Sequence, residues 1–421
     1  MTLLAPPRPR TAAAPPPRER RRLATSAAVL LASLGLAVQA VGYLLGWNGR
    51  TDAAIVAYYL GLAAMIVPVA LVVVDPRVGD AARRWTLLAY GLLFQLSWWI
   101  TSPVLATRFD ETLHVATLTA LTDGDGWFHP NPMLPVSPHY PGLELATTAV
   151  WWLTGLPLPV CQAVVLIACR IVLMLALLGV AERVTGSTRT SGVVVMLYSA
   201  SPQFVFFNAQ YAYQTLALPL LVGVLLLLLT ADDERALRRR RLLVAAAGVV
   251  ALALTHHLTS WVGAIALVGL ALAAGRGRRG RTARTLALVA VAAVGCWTAI
   301  VGPLLADYLG PIFSAAGDQT AQLLALDGAQ RTVGADSAGT PTPLWELVVM
   351  ALSVLAWLVL LMVAGLAAMR GRLPGLGRHR GRWLLIVAAA CYPALIAARF
   401  APTASEVADR SSTFEIGRAH V

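Results

Sequence analysis

The stretch Arg-Phe-Asp-Glu-Thr-Leu-His, residues 108–114, places two adjacent carboxylates, Asp110 and Glu111, directly after a long apolar run. It opens a polar segment, 106–143, in a chain that is otherwise strongly apolar. An ionisable group at the mouth of a membrane span is costly unless it is paired or hydrated, so such groups usually have a function. The stretch therefore indicates a membrane protein with a site at the end of its spans.

The composition of the whole chain supports this interpretation. Hydrophobic residues make up 58% of the 421 positions and charged residues 13%, and the mean hydropathy is +0.69. Apolar runs recur at about 20 residues, the length that an α-helix needs to cross a bilayer. We therefore predict an all-α fold, a polytopic transmembrane helical bundle of about 11 spans.

The predicted transmembrane domain covers residues 25–400. Its spans are 25–46, 53–74, 86–105, 160–180, 191–207, 212–230, 242–255, 258–274, 285–305, 344–369 and 383–400.

Two regions need a specific interpretation. The run 144–156 is apolar but short, which favours a helix in or near the membrane interface, anchored by Trp151 and Trp152. The alternative is that 191–230 contains one crossing fewer. Residues 242–274 are too long for one span and have Arg at both ends, so we expect a hairpin with its tip at 255–260.

The positive charge predicts orientation and not nucleic-acid binding. The net charge is +12, and all basic residues are Arg, clustered in short segments between spans. This positive-inside pattern puts a disordered tail, 1–24, in the cytoplasm of a multi-pass plasma-membrane protein. The same rule puts the loops 106–143 and 306–343, and the segment 401–414, outside.

The last seven residues, 415–421, look foreign to the protein. Their back-translation, GAG-ATC-GGA-AGA-GCA-CAC-GTC, matches a common sequencing adapter read in frame. We therefore expect a sequencing-adapter artefact at 415–421 and a natural chain that continues beyond about Phe414, so that the gene model is truncated at its C-terminus.

The acid pair is the first candidate for chemistry. A carboxylate beside a membrane-embedded site can act as a general base or hold a divalent cation such as Mg or Mn. His114 lies three residues after Glu111, on the same face if the segment is helical, and would complete a cation site with Asp110 and Glu111. The alternative is the ordinary polar start of a loop.

Histidines and amides form further candidates. Five of the seven histidines fall on the predicted outer side, and the adjacent pair His256 and His257 at the hairpin tip suits phosphate or metal binding. Amide and aromatic side chains alternate over 203–214, a combination suited to sugar binding, although an interfacial aromatic belt explains the phenylalanines as well. Arg108 could bind a phosphate or pair with Asp110, and Arg170, within a span, should face the bundle interior.

Four motifs in this order resemble the GT-C superfamily of membrane glycosyltransferases. They cover roughly 86–305 and are Asp110-Glu111, Tyr140-Pro141, Ser201-Pro202-Gln203-Phe204 and Thr255-His256-His257.

The resemblance implies an enzyme similar to the dolichyl- or polyprenyl-phosphate-sugar-dependent mannosyltransferases. It would transfer a sugar from a lipid-linked donor to a cell-envelope glycan, lipid or protein at the outer face, normally with inversion. Asp110 or Glu111 would be the base or, in some members, a metal ligand. The residues expected to bind the donor phosphate or the substrate are Arg108, His114, His139, Tyr140, Gln210, Tyr211, Gln214, His256 and His257.

Two other functions remain open from the sequence. A transporter or flippase would place its site near the bilayer midplane, often with internal repeats, whereas the ionisable residues here lie mostly at span ends. A metal-binding or scaffold protein would use the five histidines, but their spacing fits no standard template, and the four cysteines form no CxxC pair.

Overall fold

The computed structural model describes residues 18–102, 110–201, 203–230, 238–275 and 277–324, and five single positions between 348 and 362. Within these residues every regular element is a helix, as the sequence predicts. A short 3₁₀ turn at Ser137–His139 precedes α5, and a π-helical turn at Gln203–Phe207 precedes α8. The α-helices are α1 (Arg18–Trp47), α2 (Thr51–Val74), α3 (Asp80–Trp99), α4 (Glu111–Asp123), α5 (Gly142–Thr154), α6 (Leu158–Thr185), α7 (Thr188–Ser199), α8 (Tyr213–Leu229), α9 (Arg238–Ala253), α10 (His257–Ala273) and α11 (Arg278–Leu324).

Four of these helices are long and apolar enough to cross a membrane. They run over Leu23–Trp47, Thr51–Val74, Leu158–Thr185 and Arg278–Gly310. Only 22–44% of their most apolar windows is buried inside the protein, so much of their surface is left for lipid. A membrane protein with several helical spans is therefore confirmed.

The predicted count of about 11 spans stays a prediction. α8 and α10 are apolar but shorter, at 17 residues each. The predicted span 383–400 lies outside the described residues, as does all of 344–369 apart from the five single positions.

Two predicted boundaries were wrong. α1 begins at Arg18, so the predicted tail 1–24 is helical in its last seven residues. The predicted loop 306–343 is helical as far as Leu324, because α11 continues beyond the apolar run that defined the span 285–305. The predicted loop 106–143 contains α4 and the 3₁₀ turn at Ser137–His139.

The chain divides into two compact units, Met1–Tyr90 and Gly91–Val421. In the first unit α1 and α2 pack closely, because Gly35 and Gly61 let their backbones approach. The buried Arg83 donates hydrogen bonds to the Val73, Asp75 and Val78 carbonyl oxygens over 2.9–3.0 Å. The bond to Val73 satisfies a carbonyl group in the last turn of α2, and the other two bonds hold the turn that follows it.

In the second unit α6 packs against α8, and the helices α8 to α11 share an apolar core. α5 has 13 residues, about 20 Å, which is too short to cross the hydrocarbon region alone. This length agrees with the non-crossing helix expected at 144–156, and Trp152 at its end is 82% exposed.

The predicted span 191–207 is interrupted. α7 ends at Ser199 after 12 residues, and the described residues before α8 begins at Tyr213 form turns and the π-helical turn at Gln203–Phe207. We call residues 200–212 the junction. Irregular backbone inside a bundle needs internal partners for its polar groups.

Arg170 of α6 supplies several of these partners. Its side chain is 1% exposed, and Nη2 donates to the Phe204 and Asn208 carbonyl oxygens at 2.9 and 3.0 Å. Nε donates to Gln95 Oε1 at 3.1 Å, while Gln95 Nε2 donates to the Ala209 carbonyl oxygen at 2.8 Å. The expectation that Arg170 faces the interior is confirmed.

Replacing Arg170 should therefore destabilise the second unit. Arg170→Met leaves at least two buried carbonyl groups without their donor, and each such group costs about 1–3 kcal/mol. We expect a clear fall in the thermal midpoint of the protein in detergent. Arg189→Met, at an exposed position in α7, is the matched control. Equal midpoints for the two variants would contradict the assigned role.

Candidate functional site

The two carboxylates at the start of α4 lie in different surroundings. Asp110 is the N-cap residue, is exposed, and makes no side-chain capping hydrogen bond. Glu111 is 4% exposed, and its Oε1 accepts hydrogen bonds from Trp98 Nε1 at 3.0 Å and from the Tyr211 backbone N–H at 2.8 Å. Glu111 therefore ties α4 to α3 and to the junction, whereas Asp110 is accessible.

His114 forms a buried pair with a residue that the sequence analysis missed. His114 Nδ1 lies 2.8 Å from Glu144 Oε1, and the side chains are 1% and 0% exposed. The available signal was a carboxylate inside the apolar run 144–156, which requires a partner. Sequence alone does not show which residue that partner is.

Tyr213 links the adjacent histidines of the hairpin tip, His256 and His257, to the His114–Glu144 pair. The Tyr213 ring contacts His114 with centroids 4.1 Å apart and stacks on His256 at 4.9 Å. His257 lies 5.0 Å from His256 and 5.3 Å from Tyr140, measured between ring centroids. We call these six side chains the histidine cluster: His114, Tyr140, Glu144, Tyr213, His256 and His257.

Close packing fixes the hairpin tip against the start of α5. A Cβ atom added to Gly142 would collide with the buried Thr255 side chain and lie 3.0 Å from its Cα. The next turn of α5 contacts the junction, since Tyr211 OH donates to Thr147 Oγ1 at 2.8 Å. The cluster is therefore held by three separate segments of the chain.

His139 lies beside this cluster in a second aromatic contact. Its ring stacks on Phe128 at 5.3 Å, and its carbonyl oxygen accepts a hydrogen bond from Trp297 Nε1 at 3.0 Å. Phe128 has φ +63°, a conformation that side-chain-bearing residues rarely adopt. His129 is exposed and lies one residue further along this loop.

The remaining predicted residues are placed as follows. Gln210 is fully buried in the junction, and neither atom of its amide has a partner among the described residues. Gln214 is half-buried in the first turn of α8. Arg108 lies outside the described residues.

Several buried polar atoms of the cluster lack a hydrogen-bond partner within the described part of the chain. They include Tyr140 OH, Glu144 Oε2 and His257 Nδ1. Unpaired polar atoms are costly in a protein interior. Their concentration at one place is the usual mark of a site that receives water or a polar ligand.

Four helices begin at this site, which makes it favourable for anions. α4, α5, α8 and α10 start at Glu111, Gly142, Tyr213 and His257, and the ring contacts and the Gly142–Thr255 contact bring these ends together. Each helix N-terminus carries partial positive charge and unpaired N–H groups. The first-turn carboxylates Glu111 and Glu144 benefit from the same effect.

The side chains themselves contribute little positive charge. Burial lowers the pKa of His256 well below its ordinary value, and the neighbouring His257 and His114 lower it further. Burial also raises the pKa of Tyr140 to about 12. Near neutral pH, His256 is therefore an uncharged imidazole and Tyr140 an uncharged phenol, and each can donate a hydrogen bond.

The side chains predicted to bind a cation, those of Asp110, Glu111 and His114, are not directed at a common point. Glu111 Oε1 and His114 Nδ1 are directed at other partners. Within the described residues no group of three or more His, Cys, Asp or Glu side chains could hold a metal ion. A divalent-cation requirement stays a prediction.

No family model, curated protein or solved structure matches this chain.

The Gly142 contact gives a first test of the site's architecture. Gly142→Ala forces α5 away from Thr255, and overpacking of this kind costs about 1–3 kcal/mol. We expect a lower thermal midpoint in detergent. Gly223→Ala, in α8 with open space around the added Cβ, is the control and should be neutral or slightly stabilising. A neutral Gly142→Ala variant would contradict this close contact.

The lowered pKa of His256 predicts acid sensitivity. Below about pH 6.5 the unfolded chain binds a proton at this residue that the folded protein does not, so stability falls with pH until the folded pKa is reached. Above about pH 7 the contribution is fully present. We expect His256→Asn, which places a favoured residue at the N-cap position of α10, to lose less thermal stability than wild type between about pH 7.5 and pH 5.

The exposed His129 provides the control. His129→Asn should show the same acid-dependent loss of thermal stability as wild type. If the His256→Asn and His129→Asn variants lose stability equally on acidification, the buried, neutral state of His256 is wrong.

Proposed function

We propose that this protein is a membrane glycosyltransferase of the GT-C type, which transfers a sugar from a polyprenyl-phosphate donor to an acceptor at the outer face of the membrane. The observation that carries the proposal is the convergence of four helix N-termini on the histidine cluster, next to the accessible carboxylate Asp110. Helix N-termini favour an anion such as a phosphate, and the carboxylate can accept a proton.

In this proposal the donor phosphate binds where the four helices begin. Tyr140 OH and His257 Nδ1 have no partner within the described residues and can form hydrogen bonds with the phosphate. His256 lies against His257. The guanidinium group of Arg108 would bind the same phosphate, as the resemblance implies. Neutral donors hold a phosphate without the cost of burying several positive side chains.

Asp110 is the proposed base. The acceptor hydroxyl oxygen attacks the anomeric carbon of the donor sugar and passes its proton to the Asp110 carboxylate. The bond between the anomeric carbon and the phosphate oxygen breaks, and polyprenyl phosphate leaves with the electron pair. Attack opposite to the leaving group inverts the configuration of the sugar.

The surroundings of the acid pair support this choice between its members. Asp110 is exposed and lies within coulombic range of the Tyr213 hydroxyl group in the cluster. Glu111 already accepts two hydrogen bonds through one oxygen and is almost fully buried. Glu111 therefore has a structural role, in which it holds Trp98 and Tyr211 in place.

The test compares Asp110→Asn with Asp123→Asn, the same change at an exposed position at the other end of α4. The proteins are reconstituted in vesicles with polyprenyl-phosphate hexose and pentose donors and a membrane-derived acceptor fraction. Released polyprenyl phosphate and the labelled glycan product are measured. We expect Asp110→Asn to lose about 100-fold or more in turnover, with its thermal midpoint unchanged, while Asp123→Asn is unaffected.

Glu111→Gln should behave differently from both variants. A neutral amide is a weaker acceptor for Trp98 and the Tyr211 backbone, so we expect a lower thermal midpoint as well as lower turnover. Wild-type turnover in Asp110→Asn would overturn the role of Asp110. Movement of an intact lipid-linked sugar across the bilayer, with no new glycosidic product, would overturn the transferase and favour a flippase.

A further inference from the structure

A cleft opens on the second unit beside Glu111, and none of the histidines is among the described residues that line it. It is shallow and open to solvent, and its enclosed volume is only about 30 Å³. The end of α3 contributes Trp98 and Trp99, the first turns of α6 contribute Gln162, and Tyr211 contributes from the junction. The cleft is therefore next to the proposed base but separate from the phosphate site.

The chemistry of the cleft is aromatic with a small number of polar groups. Trp99 is 38% exposed, and apolar side chains of α3 and α6 complete the walls. Binding sites for small molecules have this composition, in which a few placed polar groups decide the orientation of the ligand.

Gln162 is the polar group without a structural role. It is 6% exposed and lines the cleft, and within the described residues its amide has no hydrogen-bond partner. Gln95, the other amide in the lining, is already committed to Arg170 and to the Ala209 carbonyl oxygen. The amide of Gln162 therefore points to a ligand with hydrogen-bonding groups.

Three classes of ligand can be compared. An alkyl chain would cover the Gln162 amide without offering it a hydrogen bond, which disfavours its binding. An anion would meet the Glu111 carboxylate in the same lining, where the described residues include no positively charged side chain. A neutral sugar offers hydroxyl groups that both donate and accept, which matches an amide, and an apolar ring face that packs against indole rings.

We propose that this cleft binds a neutral sugar unit and that, given the proposed transferase function, this unit belongs to the acceptor. Gln162 fixes the orientation of the ring through its hydroxyl groups, and Trp99 packs against the apolar face of the ring. The acceptor is then a glycan that presents one hydroxyl toward Asp110, the N-cap residue adjoining Glu111.

The test measures sugar binding without requiring transfer. The protein is placed in lipid nanodiscs free of glycoside detergents, and methyl α-mannopyranoside and methyl β-glucopyranoside are titrated by saturation-transfer-difference NMR. We expect wild type to bind at least one of the two, and Gln162→Leu and Trp99→Ala to weaken that binding by about tenfold or more. Gln162→Leu should not lower the thermal midpoint, because it removes an amide that supports no other group.

Matched changes at exposed positions outside the cleft serve as controls. Asn48→Leu replaces another amide, and Trp152→Ala another indole, and both should bind the sugar as wild type does. Binding that is equal in all four variants, or saturation transfer from lipid chains alone with none to either glycoside, would overturn the proposal.

The outcome separates this proposal from the proposed function. If wild type transfers sugar but binds neither glycoside, the cleft is not an acceptor-sugar site and the transferase stands. If sugar binding depends on Gln162 but no donor is ever consumed, the sugar site stands and the transferase fails. Where both hold, Gln162→Leu should raise the acceptor KM with little change in kcat.

Discussion

The arrangement of the second unit depends on the buried guanidinium of Arg170. Between α7 and α8 the backbone leaves helical geometry, and within an apolar bundle each freed carbonyl group needs a donor. Arg170 and Gln95 act together, since one side chain donates to two junction carbonyl groups and the other to a third while they bond each other. The irregular path of the chain, and with it the placement of Tyr211 and Tyr213, follows from these bonds.

A second interaction links the junction to the start of α4. The Tyr211 backbone N–H donates to Glu111, so the position of the junction fixes the first turn of α4. Tyr213, two residues further on, contacts both His114 of α4 and His256 of the hairpin. Segments separated by more than a hundred residues in sequence are thus brought together by a short chain of contacts. The polar site therefore follows from the way in which the bundle accommodates the interruption between α7 and α8.

The sequence predicts the composition of the site better than its pairings. Tyr140, His114, His256 and His257 all lie in one cluster, and the interior position expected for Arg170 is confirmed. These expectations rest on the cost of polar groups in an apolar chain, which can be evaluated position by position. The partners of those groups cannot be evaluated in this way, because they are set by packing between distant segments.

Glu144 and α11 are two examples of what the sequence does not predict. Glu144 is inside a run scored as apolar, and only the fold shows that its carboxylate meets His114. α11 continues to Leu324 although the apolar signal ends near residue 305, because helix formation does not require the helix to remain apolar beyond the membrane. Hydropathy therefore locates the apolar part of a helix and leaves its ends undetermined.

Helix geometry explains why two neighbouring carboxylates differ so strongly. Asp110 is the N-cap and Glu111 the first residue of α4, and successive helical positions point about 100° apart, so the two side chains leave the helix start in different directions. At α4 the second acid is directed into the protein, where it accepts hydrogen bonds from an indole and a backbone amide, and the first remains accessible. The buried carboxylate can be retained because one of its oxygens accepts two hydrogen bonds. In the proposed function the base is therefore Asp110, which is exposed and makes no capping hydrogen bond.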